Sequence, residues 1–301
     1  MVIRYTTTSI HEGRRLDHYL AEQSPDLSRT LIRKNIDIGG VHIDGRRVLK
    51  AGLVLSAGRR IEVHRDRGAL EPYRIAESQV LFQDDYLIVL DKPAGIETQP
   101  TPARYKGTLY EALQVWLKRD RRFGRRLEIG MAQRLDRETS GVIAFSIHPQ
   151  AHKSLTAQIQ SRAAQKIYLA LVEGRPEPTA GSYTSRLIRD RFSNRVKSTA
   201  GGGKEAVTRY RVVKTLQAPA QISMVELELI TGRTHQLRAH LSEAGHPLLG
   251  DIRYGGADRL GEHSFSRHFL HSHRLELRHP LSGKALSFCA ELPPEMDPDQ
   301  W

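Results

Sequence analysis

The chain has 301 residues, of which 39% are hydrophobic and 27% are charged. This composition is typical of a globular protein and leaves room for one large domain or two smaller ones. No run approaches the roughly 20 consecutive apolar residues that span a bilayer, and the first residues lack the basic start and apolar core of a signal peptide. We therefore expect a cytoplasmic protein with no membrane partner.

The charge balance is strongly basic, with 46 Lys and Arg against 34 Asp and Glu and a formal net charge of +12. A field of this sign attracts polyanions such as nucleic acid. Solubility or genome bias is the alternative explanation of the same excess. Charge alone therefore makes nucleic acid a candidate partner and no more.

Cysteine and histidine usage bears on metal and redox chemistry. The single cysteine, Cys289, excludes an internal disulfide and any multi-cysteine metal site. It lies in the strand-like run KALSFCAEL, which predicts a buried structural thiol. Of the 14 histidines, seven cluster within residues 235–246 and 263–273, without an HExxH or equivalent spacing. We expect no functional metal.

A compact basic segment comes first and predicts two short helices. Apolar residues at helical spacing indicate the first helix: Leu16, Tyr19 and Leu20. Pro25 ends it, and Ser28 is a typical N-cap for a second helix that stops at Gly39. The residues expected on one face of this second helix are Leu31, Ile32 and Ile36. Asp44-Gly45 then predicts a hairpin, and RIEVH alternates as a strand.

Two helices followed by a hairpin, rich in Arg and Lys, resemble the alpha-L RNA-binding motif, also called the S4 domain. The resemblance covers about residues 13–64. It implies phosphate contacts, which give affinity but little sequence readout, from Arg29, Arg33, Lys34 and Lys50. The alternative is a charged solvated helix face.

Residues 65–79 are polar, contain Gly68 and Pro72, and predict a linker. The predicted division is thus a small α/β domain at 1–64, the linker, and a larger domain at 80–301. In the larger segment strands outnumber helices and are often joined through turns. We expect the α+β class, with a mainly antiparallel mixed sheet and helices packed on it.

Polar residues precede one buried strand of this larger segment, in the run Gln133–Gly141. Such a loop at a strand edge is a common place for catalytic groups. Asp136, flanked by Arg134 and Arg137, should stay ionised at neutral pH, which suits a nucleophile or an electrostatic stabiliser. A salt-bridged turn is the alternative.

Two further segments carry candidate chemistry. In TGRTHQLR a strand runs into a turn and a helix, whose first backbone donors can hold an anion. The alternative there is a capped helix with solvated arginines, among them Arg233 and Arg238. On the strand KIYLALVEG, Tyr168 lies opposite the most apolar face and could offer its ring to a base, although most strand tyrosines are plain core.

Together these segments resemble the RluA-type pseudouridine synthases over about residues 80–292. The resemblance depends on the joint order of seven motifs, which are LDKPAGI, RLDRETSG, Lys166-Ile-Tyr168, GGKEAVTRY, TGRTHQLRAHL, HPLLGDIRYGG and LHSHRLEL. It implies that Asp136 is the catalytic aspartate, that Tyr168 packs against the target base and that Arg238 pairs with the carboxylate. It also implies that Arg134 fills the gap left by a flipped-out nucleotide, that Arg233 contacts RNA and that Leu270 lines the pocket.

The implied reaction isomerises selected uridines in structured RNA and involves no redox step or group transfer, so no cofactor is expected. Ribosomal RNA is favoured by the fused S4-like motif, with transfer RNA as the alternative, and no obligate protein partner is implied. One departure is Gln133, where the family commonly has histidine. It is the only support for the rival interpretation, a non-catalytic RNA-binding protein or RNA chaperone on a synthase fold.

Overall fold

The computed structural model describes residues 2–65, 71–120, 128–190, 193, 195–217 and 221–297. The chain forms two compact units. The first consists of Met1–Ala76 and Gly95–Arg121, and the second of Glu77–Ala94 and Arg122–Trp301. Gly68, one of the two residues that indicated a linker, lies outside the described residues. Within them, no helix has the length and apolar character needed to cross a membrane.

The described residues of the first unit form four strands and three α-helices. In chain order they are β1 Val2–Thr6, α1 Leu16–Gln23, α2 Arg29–Asp37, β2 Val41–Ile43, β3 Arg46–Val48, β4 Arg60–His64 and α3 Leu109–Leu117. The strands form an antiparallel sheet in the order β1-β4-β2-β3. Its core combines α1, α2 and the sheet through Leu16, Leu20, Ile36, Val41 and Ile61, which are all buried.

The local signals in this unit act as predicted, with one exception. The Ser28 side chain accepts a hydrogen bond from the backbone N–H of Leu31, and Asp44 and Gly45 both take positive φ, as a two-residue hairpin turn requires. Leu31, however, is 43% exposed, so its predicted place on the apolar face was wrong. Ile32 and Ile36 define the buried face, and Leu31 lies about 100° around the helix from Ile32.

The second unit is built on one large sheet. In chain order, the strands up to residue 198 are β5 Val80–Gln83, β6 Leu87–Lys92, β7 Ser140–Ser146, β8 Gln165–Glu173, β9 Ala180–Arg189 and β10 Val196–Ser198. The strands that follow are β11 Lys204–Leu216, β12 Ile222–Leu229, β13 Arg259–Leu260, β14 His263–Ser264, β15 Leu270–Arg278 and β16 Ala285–Cys289. The helices are α4 Pro149–Gln160 and α5 Gln236–Glu243.

Ten of these strands form the sheet: nine follow the order β10-β9-β11-β12-β8-β15-β7-β6-β5, and the tenth, β16, pairs with β15. Among the described strands the pairing is antiparallel except between β15 and β7. The predicted mainly antiparallel mixed sheet of the α+β class is thus confirmed. All seven residues of β7 are buried, which makes this strand a rigid base for the loop that precedes it.

The predicted burial of Cys289 was wrong, because its side chain is exposed. β16 alternates along its length, with Leu286 and Phe288 partly buried and Ser287 and Cys289 on the exposed face. The run KALSFCAEL is indeed a strand, but the period of two places the thiol outward.

Candidate active site

The loop that carries Asp136 is fixed by buried cations from other parts of the second unit. Lys92, fully buried at the end of β6, donates from Nζ to the carbonyl oxygen of Arg137 at 3.1 Å. Arg267 donates from Nη1 to the carbonyl oxygen of Glu138, also at 3.1 Å. Two successive backbone carbonyls beside Asp136 therefore have buried donors, which restricts the loop to one conformation.

The loop enters β7 through equally constrained residues. The Thr139 hydroxyl and Nε2 of His268 lie 2.8 Å apart, and both residues are buried. Gly141 has φ +106°, and a Cβ there would lie 2.2 Å from the carbonyl oxygen of Ser272. Only glycine fits where β7 and β15 approach so closely, so the last residue of RLDRETSG has a packing cause.

Arg238, in the first turns of α5, lies between two carboxylates. Its Nη1 donates to Oδ2 of Asp136 at 3.1 Å, while Nε and Nη2 donate to the two oxygens of Asp251 at 2.7 Å each. The guanidinium also lies over the ring of Tyr254, 4.8 Å from its centroid. Arg238 and Asp251 are almost fully buried, so this bidentate pair is charge-assisted and well fixed.

Asp136 itself remains an anion. Burial would raise its pKa, but the positive charges of His235, once it is protonated, and of Arg238, together with the hydrogen bond from Arg238, hold the pKa below the ordinary value. His235 and His268 contribute little at neutral pH, because burial lowers the pKa of each to about 4 and leaves them uncharged. The described residues contact the carboxylate only through Oδ2, which leaves Oδ1 without a protein partner.

Tyr168 lies on the sheet near this carboxylate, whose charge acts on it. Tyr168, on β8, pairs in register with Ser272 on β15 and is buried. Both faces of β8 are largely buried, so the strand does not have the one apolar and one polar face that the sequence suggested. Burial raises the pKa of Tyr168 to about 12, with a smaller contribution from the charge of Asp136. Leu270 is also buried, at the start of β15.

Beside Asp136 lies a basic cleft of about 770 Å³. Its cationic lining residues are Arg134, Arg189, Lys204, Arg233 and Arg253. Arg134 donates to the Thr234 hydroxyl at 2.6 Å, and Arg233 donates from Nε to the carbonyl oxygen of Glu205 at 2.9 Å. The predicted RNA-binding arginines of this unit thus lie together, on a surface that can take a polyanion.

In the first unit, Arg29 and Arg33 converge on a residue that the sequence did not single out. Both donate to Oδ2 of Asp17, at distances between 2.8 and 3.2 Å, and Arg15 donates to the same carboxylate. Asp17 is fully buried, whereas the three arginine side chains are 43% to 52% exposed. One carboxylate therefore gathers three cations at the surface.

Lys34 and Lys50 differ from this cluster. Lys34 forms an exposed ion pair with Glu71 at 3.0 Å, which screens part of its charge. Lys50 is exposed, and no hydrogen bond or ion pair of its side chain is found within the described residues. The four predicted basic residues are thus two clustered arginines and two separate lysines.

The departure at Gln133 has a distinct environment. Its Nε2 is buried and has no hydrogen-bond partner within the part of the chain that the structure describes. A buried amide donor without a partner costs about 1–3 kcal/mol, so a ligand or water that accepts from it would be favoured. Glutamine therefore retains a free donor beside the Asp136 loop.

The residues that sequence reasoning missed are those that support the chosen ones. Asp251 and Tyr254 lie in the motif HPLLGDIRYGG, which was noted without a role for either. His235 immediately precedes α5 and has its Nε2 3.8 Å from Oδ2 of Asp136. A histidine and an aspartate inside quoted motifs were the available signals, but neither reveals which side chain it meets.

The chain is similar in sequence to known proteins over most of its length. A family model described as RNA pseudouridylate synthase matches residues 86–243, and one described as S4 domain matches residues 14–61. An RNA pseudouridine synthase of Chloroflexus aurantiacus is 37% identical over 285 residues, covering 94% of this chain and 87% of its own. The ribosomal large subunit pseudouridine synthase D of Xanthomonas campestris is 34% identical over 301 residues, covering 94% and 87%.

A solved structure agrees at the level of the fold. Human RNA pseudouridylate synthase domain containing 4 superposes with a TM-score of 0.58 at 24% identity, covering 73% of this chain and 90% of its own.

Proposed function

Because the chain belongs to the RNA pseudouridine synthases, we propose that it isomerises uridines of large-subunit ribosomal RNA with Asp136 as its nucleophile. The relative from Xanthomonas campestris is named for the large ribosomal subunit, which supports this substrate over transfer RNA. We further propose that residues 1–64 bind RNA and that residues 80–301 carry the chemistry. In this proposal the enzyme acts in the cytoplasm, during ribosome assembly.

The observation that carries the role of Asp136 is the asymmetry of its carboxylate. Oδ2 accepts from Arg238, while Oδ1 has no partner within the described residues, and the side chain is 22% exposed. A nucleophile needs one oxygen available and a fixed direction of approach. Arg238 supplies both the charge that keeps Asp136 ionised and the contact that limits its rotation.

The reaction breaks the bond between the ribose anomeric carbon and N1 of uracil and joins the ribose to carbon five. Carbon five loses its proton, and N1 gains one, so no electrons are exchanged with a cofactor. Oδ1 can attack the anomeric carbon, add to carbon six, or remove a ribose proton to give a glycal. Each route needs an ionised, positioned aspartate, and the buried ring of Tyr168 offers a surface for the detached base.

The target nucleotide must leave its stack to reach this carboxylate, at a cost of a few kcal/mol. Arg134 lines the cleft beside Asp136 and is more exposed than the other residues of its loop. A guanidinium there can bind a phosphate or stack in the gap, which offsets part of the cost. Arg233 adds a second cation to the same cleft.

The first unit contributes affinity. Arg29 and Arg33, held with Arg15 around Asp17, keep guanidinium N–H groups that do not contact the carboxylate. Such fixed, half-exposed donors fit phosphate oxygens, and Lys34 and Lys50 extend the basic surface as more mobile charges.

The first experiment measures tritium release from RNA labelled at carbon five of uracil. That hydrogen is lost when carbon five becomes the glycosidic carbon. Large-subunit ribosomal RNA and transfer RNA from cells lacking the gene are compared separately. We expect release from the ribosomal RNA alone. Release only from transfer RNA would refute the substrate, and tight binding without release from either would favour the RNA-binding interpretation.

The role of Asp136 is tested with Asp136→Asn. We expect loss of tritium release by at least about 10⁴-fold, since the amide is no nucleophile, with RNA affinity within about threefold of wild type. Glu138→Gln, two residues along the same loop, is the matched control and should retain activity. Substantial turnover by Asp136→Asn would refute the assignment.

A further inference from the structure

A row of hydrogen-bonding groups ends at the Asp136 carboxylate. It begins at the backbone N–H of Val196 in β10, which donates to the hydroxyl oxygen of Tyr254 at 2.8 Å. That oxygen lies 3.0 Å from Nδ1 of His235. On the other side of the imidazole, Nε2 lies 3.8 Å from Oδ2 of Asp136. The row therefore joins an edge strand of the sheet to the catalytic carboxylate.

The arrangement of these hydrogen bonds favours one tautomer of His235. The Tyr254 oxygen already accepts from Val196, so its own hydrogen is free to be donated to Nδ1. A neutral imidazole carries one hydrogen, and when Nδ1 accepts, Nε2 carries it. The N–H of His235 therefore points toward Asp136.

The ring stays uncharged in this environment. Burial lowers the pKa of His235 to about 4, with Arg238 and Arg253 opposing protonation and Asp136 and Asp251 favouring it. At neutral pH, Nε2 is thus a neutral donor beside an anion. This differs from an ion pair, because the donor does not cancel the negative charge that the reaction needs.

The backbone of His235 is itself unusual. It takes φ +50° immediately before α5, a left-handed conformation that costs a non-glycine residue about 1–2 kcal/mol. The neighbouring Tyr254 is held by Val196 and lies under Arg238, so the surrounding contacts keep the ring in place. The strain is retained where the ring faces the carboxylate.

We propose that His235 is a positioning residue that aims the Asp136 carboxylate through its Nε2–H, with Tyr254 setting its tautomer. The proposal rests on the proposed role of Asp136. The distance of 3.8 Å between Nε2 of His235 and Oδ2 of Asp136 is longer than a hydrogen bond. A side-chain shift of about 1 Å brings the two atoms within hydrogen-bonding distance. Arg238 and His235 then hold the same oxygen, Oδ2, from two directions, which leaves Oδ1 toward the substrate.

The test separates the two ends of the imidazole. His235→Asn keeps an acceptor near the Nδ1 position and tolerates the left-handed backbone, but removes the donor to Asp136. His235→Gln keeps a donor near the Nε2 position. Tyr254→Phe keeps the ring under Arg238 and removes only the hydroxyl. Tyr210→Phe, which removes a hydroxyl that donates to the Pro178 carbonyl, is the matched control.

In tritium-release kinetics we expect His235→Asn and Tyr254→Phe each to lower kcat by about 100-fold with KM within about twofold. The double variant should be no more than about twofold worse than His235→Asn, because both changes act through one Nε2–H. His235→Gln should recover part of the lost kcat, and Tyr210→Phe should match wild type. Single variants with wild-type kcat, or a double variant whose loss is the product of the two single losses, would overturn the proposal.

A second measurement needs no turnover. In protein labelled with ¹⁵N-histidine, the His235 signals, assigned by their absence in His235→Asn, should report an unprotonated Nδ1 and a protonated Nε2 at pH 7. Tyr254→Phe should lower the protonated fraction of Nε2 in parallel with its loss of kcat. An Nδ1–H tautomer in wild type would overturn the proposal. If the wild-type protein bound RNA without tritium release, the proposed function would be refuted. The tautomer of His235 would still show whether its Nε2–H points toward Asp136.

Discussion

Each unit of the chain contains a cluster of aspartate and arginine around a buried side chain. Arginines outnumber aspartates in one cluster, and aspartates outnumber arginines in the other. In the first unit one carboxylate, Asp17, holds three arginines that remain half exposed. In the second unit two carboxylates, Asp136 and Asp251, share one buried arginine, Arg238. The first arrangement leaves positive charge at the surface, and the second leaves negative charge on Asp136.

In the proposed function, this difference separates RNA binding from chemistry. An excess of fixed guanidinium groups suits phosphates, whose recognition needs donors and charge but no reactive atom. An excess of carboxylate suits covalent catalysis, which needs an ionised oxygen that its partner does not fully occupy. Under this proposal, aspartate and arginine serve two purposes in the chain, and the ratio of cations to anions decides which.

The largest effect within this comparison is expected from Asp251→Asn. The change removes the charge that fixes two of the three donor nitrogens of Arg238. The guanidinium can then rotate onto Asp136 and occupy both of its oxygens, so we expect kcat for tritium release to fall about 100-fold. Steady-state kinetics with labelled ribosomal RNA measure this loss.

Asp258→Asn is the matched control, because Asp258 is exposed on the same segment of the chain. It should retain wild-type kcat, and both variants should retain RNA affinity. If Asp251→Asn kept kcat within twofold of wild type, Asp251 would serve only the packing of α5.

A smaller, different effect is expected from Asp17→Asn. Burial would raise the pKa of Asp17, but hydrogen bonds from Arg15, Arg29 and Arg33 lower it far below the ordinary value. Removal of the charge should lower the free energy of unfolding by about 2 kcal/mol, less than for a fully buried pair because the arginines are solvated. RNA affinity should fall about tenfold at low salt with kcat unchanged, since the donors lose their fixed geometry.

Denaturation followed at several pH values checks the cause. A lowered carboxyl pKa stabilises the fold above its unfolded-state value and loses this effect as the pH falls through the folded-state pKa. The gap between wild type and Asp17→Asn should therefore narrow in strong acid. Glu62→Gln, which removes an exposed ion pair with Arg4, should cost less than about 0.5 kcal/mol. Equal costs for the two variants would contradict the role of Asp17.

A still smaller effect is expected from Gln133→His, which installs the residue common in the family. The buried Nε2 of Gln133 lacks a partner within the described residues, so a donor from either side chain can serve the same group. We expect kcat within about threefold of wild type. A gain of 100-fold or more would show that histidine does proton transfer at this position and that glutamine has impaired the enzyme.

The sequence predicted the elements better than the contacts. Ser28, Asp44-Gly45 and the apolar spacing of α1 are local signals, and each determines a cap, a turn or a helix within a few residues. Asp136 and Arg238 were identified through ordered motifs, although 102 positions separate them in the chain. Their contact depends on α5 meeting the loop that precedes β7, which no local pattern encodes.

The failures have the same origin. Asp17 was invisible as a site residue because a helical aspartate beside Arg15 is an ordinary exposed pattern, and only the fold shows that it is buried. Tyr254 lay in a quoted motif, but its place under Arg238 requires the three-dimensional structure. Cys289 was assigned to the interior from its strand alone, although the face that it occupies is set by pairing with β15.

The pH dependence of kcat tests whether the two clusters really differ. The pKa of Asp136 is lowered, so its carboxylate is ionised at every pH above the ordinary carboxyl pKa. His235 and His268 are neutral above about pH 4. Between about pH 5 and pH 8 none of the three changes charge, so kcat should stay within twofold. Below pH 5 kcat should fall as the histidines gain protons beside Asp136. RNA affinity, which the proposal assigns to the arginines of the first unit, should stay constant while kcat is lost. An acid limb centred between pH 6 and 7 would instead require an essential histidine with an ordinary pKa, and the neutral, buried surroundings assigned to Asp136 would be wrong.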